Sequence, residues 1–326
     1  MSLTQFDVIQ ANAFLGGDLQ GQGKNFFVLP ISGSGTSARS PRTAIKTLAG
    51  ALAKCTTKKN DVVRLLAESN VSAETTDYQA ATLDWNLDLV HLIGVPDGGN
   101  ISPRARVAFA SGYVGASNLF TLSGNGCKLK NLQFFEGVAS ANPTGCFKVT
   151  GSRNLIENCH IAGIGNDAND IAGAYSLYLS GSENVFRRCV IGLDTITRGT
   201  GDCAELVLAG GGARNVFEDC LFVSWAGADT HQFVKRGAGG SDRFTLFKRC
   251  HFANFELGGG AVMLEVFDVT AGGSPAGVID LVDCSFSGAA AWEASGGVSG
   301  IVRANTSAAA AASATSGGRT LAVTGA

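Results

Sequence analysis

Between Asn125 and Phe286 the chain writes one pattern of apolar and polar positions six times. Ten-residue windows begin at Asn125 (NGCKLKNLQF), Ser152 (SRNLIENCHI), Ser182 (SENVFRRCVI), Ala213 (ARNVFEDCLF), Arg243 (RFTLFKRCHF) and Gly277 (GVIDLVDCSF), spaced 27 to 34 residues apart. The fifth position is always apolar: Leu129, Ile156, Phe186, Phe217, Phe247, Leu281. The eighth is Leu132 and then cysteine throughout, at Cys159, Cys189, Cys220, Cys250 and Cys284. The tenth is Phe134, Ile161, Ile191, Phe222, Phe252 or Phe286.

Positions eight and ten are two apart, so on a strand they face the same side. Positions five and eight are three apart, and an unbroken strand would point them to opposite faces. A tight corner between them returns both to one interior. The seventh position fills that corner with Asn131, Asn158, Arg188, Asp219, Arg249 and Asp283. Asn and Asp are the non-glycine residues that best tolerate left-handed backbone, and the two arginines fit that role less well. A further strand precedes each window, as in "CFKVTGS" or "AELVLAGGG", and runs into a Gly- or Ser-rich turn.

Each repeat therefore reads strand, turn, strand, corner, strand, loop. A fixed period of this size predicts a solenoid whose units bury their apolar faces only by stacking. Leucine-rich repeats have a similar length, but their LxxLxL pattern and alternating helix are missing. The expected fold is all-β, a right-handed parallel β-helix with the cysteines as an internal ladder. Parallel side-chain vectors suit disulfide geometry poorly, so these are expected to be free thiols behaving as small buried hydrophobes.

Ahead of the rungs, "SPRTAIKTLAGALAKC" (40–55) reads as an amphipathic capping helix. Ser40 is its N-cap, Pro41 lies in its first turn, and Ile45, Leu48 and Leu52 share one face. Residues 1–38 read as an extended arm, 39–287 as the β-helix with its cap, and 288–326 as an Ala/Ser/Gly tail anchored near Trp292.

Composition narrows the function. Charged residues make up 16% of the 326 and the formal net charge is −2, which offers no basic excess for phosphate neutralisation and so no nucleic-acid partner. No apolar run approaches the roughly 20 residues of a membrane helix. "MSLTQFDVIQANAFLGG" lacks the basic start and apolar core of a signal peptide. Nine cysteines without a CxxC pair argue against a zinc site or disulfide framework. The protein is expected to fold in a reducing cytosol.

The string from "GTSARSPRTAIKTLAGALAKC" through "LDWNLDLVHLIGV" to "NLFTLSGNGCKLKNLQFF" resembles the start of pectate-lyase-like parallel β-helix proteins encoded by tailed phages. The likeness extends over about 35–286, although Ala67, Glu68 and Ser69 stand where that family usually has P-G-H. It implies a virion component: a capsid decoration or head-fibre protein, or a tailspike, often trimeric. Its partners would be further copies of itself and the major capsid protein, and its place the capsid surface.

Enzymes of this fold act on acidic polysaccharides with clustered carboxylates. The loops after the cysteine strands supply candidates: Asp167 and Asp170, Asp194 and Asp202, and Asp229 beside His231. Two carboxyl groups roughly 5–9.5 Å apart would suit glycoside hydrolysis, and Asp167 with Asp170 would be the place for a Ca²⁺ ion. Yet these loops are short, no DD or GHG motif appears, and the chain has three tryptophans and four tyrosines for sugar stacking. Ordinary turn chemistry accounts for the aspartates. His160 and His251, ninth in their windows, are expected to point outward at the surface. The sequence thus favours a non-enzymatic virion structural protein with no cofactor, metal or catalytic residue. A depolymerase or receptor-binding tailspike acting on surface glycan is the alternative.

Overall fold

A computed structural model describes residues 23–71, 76–95, 99–115, 118–142, 144–199, 203–237, 240–255, 260–269, 277–293 and 302–304. Three parallel sheets run its length. Sheet 1 has ten strands, from Asn25–Val28 and Val62–Leu66 through Lys128–Lys130, Leu155–Glu157, Val185–Arg187, Gly212–Glu218, Ser241–Lys248 and Gly277–Val282 to Val302–Ala304. Sheet 2 has eight, among them Gln133–Glu136, His160–Ile164, Val190–Arg198, Leu221–Ala226 and His251–Asn254. Sheet 3 has seven, among them Asn118–Leu122, Gly145–Val149, Tyr175–Leu179, Ala204–Leu208 and Gln232–Arg236. Each coil passes from sheet 3 to sheet 1 to sheet 2 and returns by a loop, giving a parallel β-solenoid.

The window columns are the register. Leu129 pairs with Ile156, Ile156 with Phe186, Phe186 with Phe217, Phe217 with Phe247, and Phe247 with Leu281. Rung spacing then dictates the packing of rings. Phe186 lies over Phe217 at 4.7 Å, Phe217 over Phe247 at 4.8 Å and Phe222 over Phe252 at 4.6 Å, matching the ~4.8 Å between paired strands. Beside them stands the thiol column. The Sγ–H of Cys189, Cys220, Cys250 and Cys284 donates to the carbonyls of Ile156, Phe186, Phe217 and Phe247, at 3.4, 3.5, 3.4 and 3.3 Å. All nine cysteines are free, and of the five in the column only Cys284 is partly exposed.

All six corner residues, Asn131, Asn158, Arg188, Asp219, Arg249 and Asp283, are left-handed, with φ between 51° and 59°. The arginines adopt the same backbone as the asparagines. Their steric cost, roughly 1–2 kcal/mol each, is offset by a ladder that any side chain permits. The N–H of Arg188 donates to Glu218 O at 2.9 Å and that of Arg249 to Val282 O at 2.8 Å, each one coil ahead. Their guanidinium groups add ion pairs, Arg188 with Glu157 and Arg249 with Asp219 at 2.6 Å.

A second ladder occupies the turn from sheet 3 to sheet 1, at the third window position. Asn184 Oδ1 accepts the N–H of Asn154 at 3.0 Å, and its Nδ2 donates to Gly151 O at 3.1 Å. Asn215 repeats both bonds on Asn184 N–H and Gly181 O, and Asn154 on Cys127 N–H and Gly124 O. All three asparagines are buried.

The ends differ from the sequence reading. The expected helix over 40–55 is one 3₁₀ turn, Pro41–Thr43, and a separate five-residue helix, Leu48–Leu52, N-capped by Thr47. Between them Ile45 is extended, its N–H on Phe27 O and its carbonyl accepting Leu29 N–H. The open edge of the first strand needs partners, and a β-branched residue in extended conformation supplies them where a helix could not. Ile45, Leu48 and Leu52 are nevertheless all buried against the core. Asn25–Val28, read as part of an extended arm, is the first strand of sheet 1, while residues 1–22 lie outside the described residues. In the tail, Trp292 packs edge-on against Phe286 at 4.6 Å and Val302–Ala304 pairs with Ile279–Leu281; residues 305–326 lie outside the description.

Replacing Asn184 with Ala strands the N–H of Asn154 and the carbonyl of Gly151 in a dry turn. Such groups cost about 1–3 kcal/mol each. Denaturant titration of Asn184→Ala should therefore show a loss of about 2–4 kcal/mol, and a loss under half a kcal/mol would contradict the ladder's role.

Candidate functional site

The loops between sheets 2 and 3 carry the acidic candidates, and the structure gives them separate tasks. Asp167 is exposed in a short 3₁₀ turn, Asp167–Asn169, capped by Asn166. Asp170 closes that turn, and its Oδ2 accepts Gly199 N–H at 2.6 Å from the next coil, with Cys203 Sγ 3.5 Å from Oδ1. Asp170 is thus a clamp between loops. Asp194 is exposed midway along Val190–Arg198, and Asp229 is exposed with its backbone carbonyl accepting Leu264 N–H at 2.9 Å. Asp202 lies outside the described residues. No group of three or more His, Cys, Asp or Glu is arranged to hold a metal among the described residues.

Beneath these loops runs a buried polar column that the sequence reading missed. Each coil contributes to it: Glu136, then Ser176, then Arg198 and Glu205, then Ser224 and His231, then Asn254, all under 9% exposed. Ser176 and Glu205 sit where the sheet 3 pairing skips a residue, between the pairs Tyr175 to Ala204 and Leu177 to Leu206. Both side chains are fully buried. Gly192, at φ +99°, makes room: a Cβ there would lie 2.7 Å from Glu205 Oε2.

Glu205 is the hub. Ser176 Oγ donates to its Oε2, while Oε1 lies 3.4 Å from His231 Nε2 and 3.9 Å from Arg198 Nε. Arg198 also donates to Ile164 O. Burial pushes the Glu205 carboxyl up, but His231, Arg198 and Ser176 more than reverse this and hold it below the usual carboxylate range. Glu136 has weaker company: Val138 N–H donates to Oε1 at 3.2 Å, and Oε2 has no partner. Burial raises it to about 8, against the smaller pull of Val138 N–H and Arg198. At neutral pH the interior thus holds Glu205 as a carboxylate beside Arg198, with Glu136 protonated.

Ser224, His231 and Glu205 are the residue types of a hydrolytic triad, but their geometry is not a relay. A relay needs the serine on one imidazole nitrogen and the acid on the other. Here Ser224 Oγ, at 2.9 Å, and Glu205 both meet Nε2, and Nδ1 has no partner. With His231 and Glu205 at 1% exposure, substrate has no path to them. The column holds coils together.

The ninth-position histidines divide. His251 is exposed, its Nδ1 2.8 Å from Ser285 Oγ. His160 points away from the solenoid interior as its offset requires, but it is not a surface residue. The segment 99–105 folds over it, Ser102 N–H donates to Nδ1 at 3.1 Å, and Nε2 meets Gly192 O at 3.1 Å. Burial lowers its pKa and keeps the ring neutral. Sheet 3 carries another feature on its outer face. The rings of Tyr175 and Tyr178 lie 5.3 Å apart, and Lys148 Nζ stands 5.2 Å from the Tyr178 ring.

Among solved structures, the chain is similar to pectate lyase Pel9A (15% identity, TM-score 0.55), covering 83% of its own length and 64% of the lyase. It is also similar to the pectin methylesterase from Aspergillus niger (11% identity, TM-score 0.53), covering 88% and 87%. The chain has their parallel β-helix fold. It therefore spans less than two thirds of the lyase, and at such identities the likeness is one of fold alone. A Geobacillus virus E2 protein, ORF18, matches more loosely (11%, TM-score 0.37, covering 94% and 63%). No family model matches the chain, and no curated protein matches it in sequence.

Glu136 generates a pH prediction. A folded-state pKa raised from 4.5 to about 8 gives stability that is complete at low pH and is lost as pH rises through about 8. Asp77, also raised by burial, to about 6, and His91, lowered by burial to about 4, act at lower pH. Between about pH 6.5 and 8 the wild-type melting temperature should fall, and Glu136→Gln should flatten that slope. Parallel slopes for the two proteins would rule out Glu136 as the source.

Proposed function

We propose that this protein is a non-enzymatic structural component of a tailed-phage virion, a decoration or cement protein that sits on the capsid as a homo-oligomer, most simply a trimer. The observation that carries this reading is how the loop edge spends its reactive groups. Asp170 clamps loop to loop, and Glu205, Arg198 and His231 are sealed between coils. An edge built for catalysis would leave an acid and a base facing a cleft; here the acid–base pair of Glu205 and His231 is buried. The resemblance of 35–286 to phage β-helix proteins supplies the virion setting, with the major capsid protein as partner.

The second reading, a tailspike that binds or cleaves host glycan, is favoured by the Tyr175, Tyr178 and Lys148 surface of sheet 3. Paired half-exposed rings with a cation over one face suit an apolar sugar face bearing acidic groups.

Two experiments separate the readings. Light scattering at micromolar concentration should give an oligomer, and the protein should be found on purified heads; a monomer, or presence in tails alone, contradicts the decoration role. Incubation with host capsular and lipopolysaccharide glycans should leave chain length unchanged. Shortening abolished by Asp167→Ala or Asp194→Ala would establish the enzyme instead, and binding lost in Tyr178→Ala the receptor-binding tailspike.

A further inference from the structure

The thiol column is a chemical feature as well as a packing one. Cys159, Cys189, Cys220, Cys250 and Cys284 stand at one register position on five successive rungs, the last four each donating Sγ–H to a backbone carbonyl of the preceding coil. Leu132 closes one end of the column, fully buried. At the other end Cys284 is partly exposed.

We propose that neighbouring thiols of this column bind a soft, two-coordinate monovalent cation of the Cu(I) or Ag(I) class, which enters past Cys284. The span fits. Paired strands lie ~4.8 Å apart, roughly twice a metal–thiolate bond of ~2.3 Å, so one cation fits in line between two successive sulfurs after a small side-chain rotation. The ligand chemistry fits as well, since sulfur donors select soft cations and the column holds no carboxylate or imidazole to attract hard ones. Two donors suffice, so the lack of a three-donor cluster among the described residues is no obstacle.

Charge decides the valence. When a monovalent cation meets two thiols, two metal–sulfur bonds form, one S–H bond breaks and one proton leaves to solvent. The product, a thiolate–metal–thiol unit, is neutral, so the dry core gains no net charge and escapes the penalty of burying an ion. No oxidant or reductant is needed. A hydrated divalent cation such as Zn²⁺ held by the same two donors would either remain charged or lack half of its tetrahedral ligands. Bound metal would join adjacent rungs where the core has only dispersion and weak S–H bonds, and would stabilise the solenoid by mass action.

The test uses the reduced, folded full-length protein titrated with silver nitrate in chloride-free buffer containing a competing small monothiol. Native mass spectrometry should show silver retained on the folded chain, with one proton released per cation and a raised melting temperature. X-ray absorption at the silver edge should show two sulfur neighbours. Cys189→Ala combined with Cys250→Ala, which leaves no two successive thiols in the column, should lose the retained silver, whereas Cys55→Ala and Cys203→Ala, outside the column, should keep it. Equal retention by the double variant overturns the proposal, as does nitrogen or oxygen in the first shell, or retention only with loss of the β-sheet circular dichroism. Should the double variant fail to fold, the absorption spectrum of the wild-type protein decides.

Discussion

Every other feature of this molecule depends on the in-register parallel pairing of one coil with the next. Because the pairing is parallel and the window strands hold one register from the fifth position to the tenth, each of these residues meets its counterpart in the repeat, and any property of a position is multiplied along the axis. The left-handed corner is what keeps the register. At Asn131, Asn158, Arg188, Asp219 and Arg249 the N–H is aimed at the carbonyl of the sixth window residue one coil ahead, at 2.8 to 3.2 Å. Slipping one coil by a residue would break this bond and send the neighbouring thiol and phenylalanine out to solvent. The asparagines at 154, 184 and 215 lock the other side of the same strands.

Like meeting like has opposite consequences inside and outside. Inside it is favourable, since rings stack on rings and thiols on thiols at the spacing the backbone imposes. Outside, like charges would repel, and the chain answers by alternating sign. On sheet 1 the sixth position reads Lys130, Glu157, Arg187, Glu218, Lys248, with ion pairs of 2.8 Å from Lys130 to Glu157, 3.2 Å from Arg187 to Glu218 and 3.2 Å from Lys248 to Glu218. Single surface pairs of this kind contribute little, about 0–1 kcal/mol. Their value here is that a face of one sign would push the coils apart. The result is a face with little net field, which accords with a structural role better than with capture of a charged polymer.

The loop edge follows another logic. Loops of unequal length cannot stack residue on residue, so the gap between sheets 2 and 3 is filled by individual solutions. A carboxylate beside a guanidinium, two serines, a histidine and a protonated glutamic acid line it across four coils. Removing one member would leave a buried charge unpaired, a far larger penalty than losing a surface pair. Ionisable groups are therefore concentrated at this edge.

What could be read from the sequence and what could not divides along the same line. The apolar columns, the cysteine ladder and the corner at Asn131, Asn158 and Asp219 were legible because a two-residue strand period and a fixed repeat leave few ways to hide an alternating pattern. The asparagine ladder was equally visible as a column and went unread. Glu136, Arg198, Glu205 and His231 share no column, because they are reached through loops of different lengths. The burial of His160 depends on a segment some sixty positions earlier, and the break in the capping helix on an unpaired strand edge some twenty positions earlier. Local periodicity, which needs only near neighbours to act, determined the solenoid and its interior from the sequence alone. Which polar groups meet at the loop edge, and which surface positions are covered, only the tertiary structure decided, because those encounters depend on how far each loop carries the chain before it rejoins the stack.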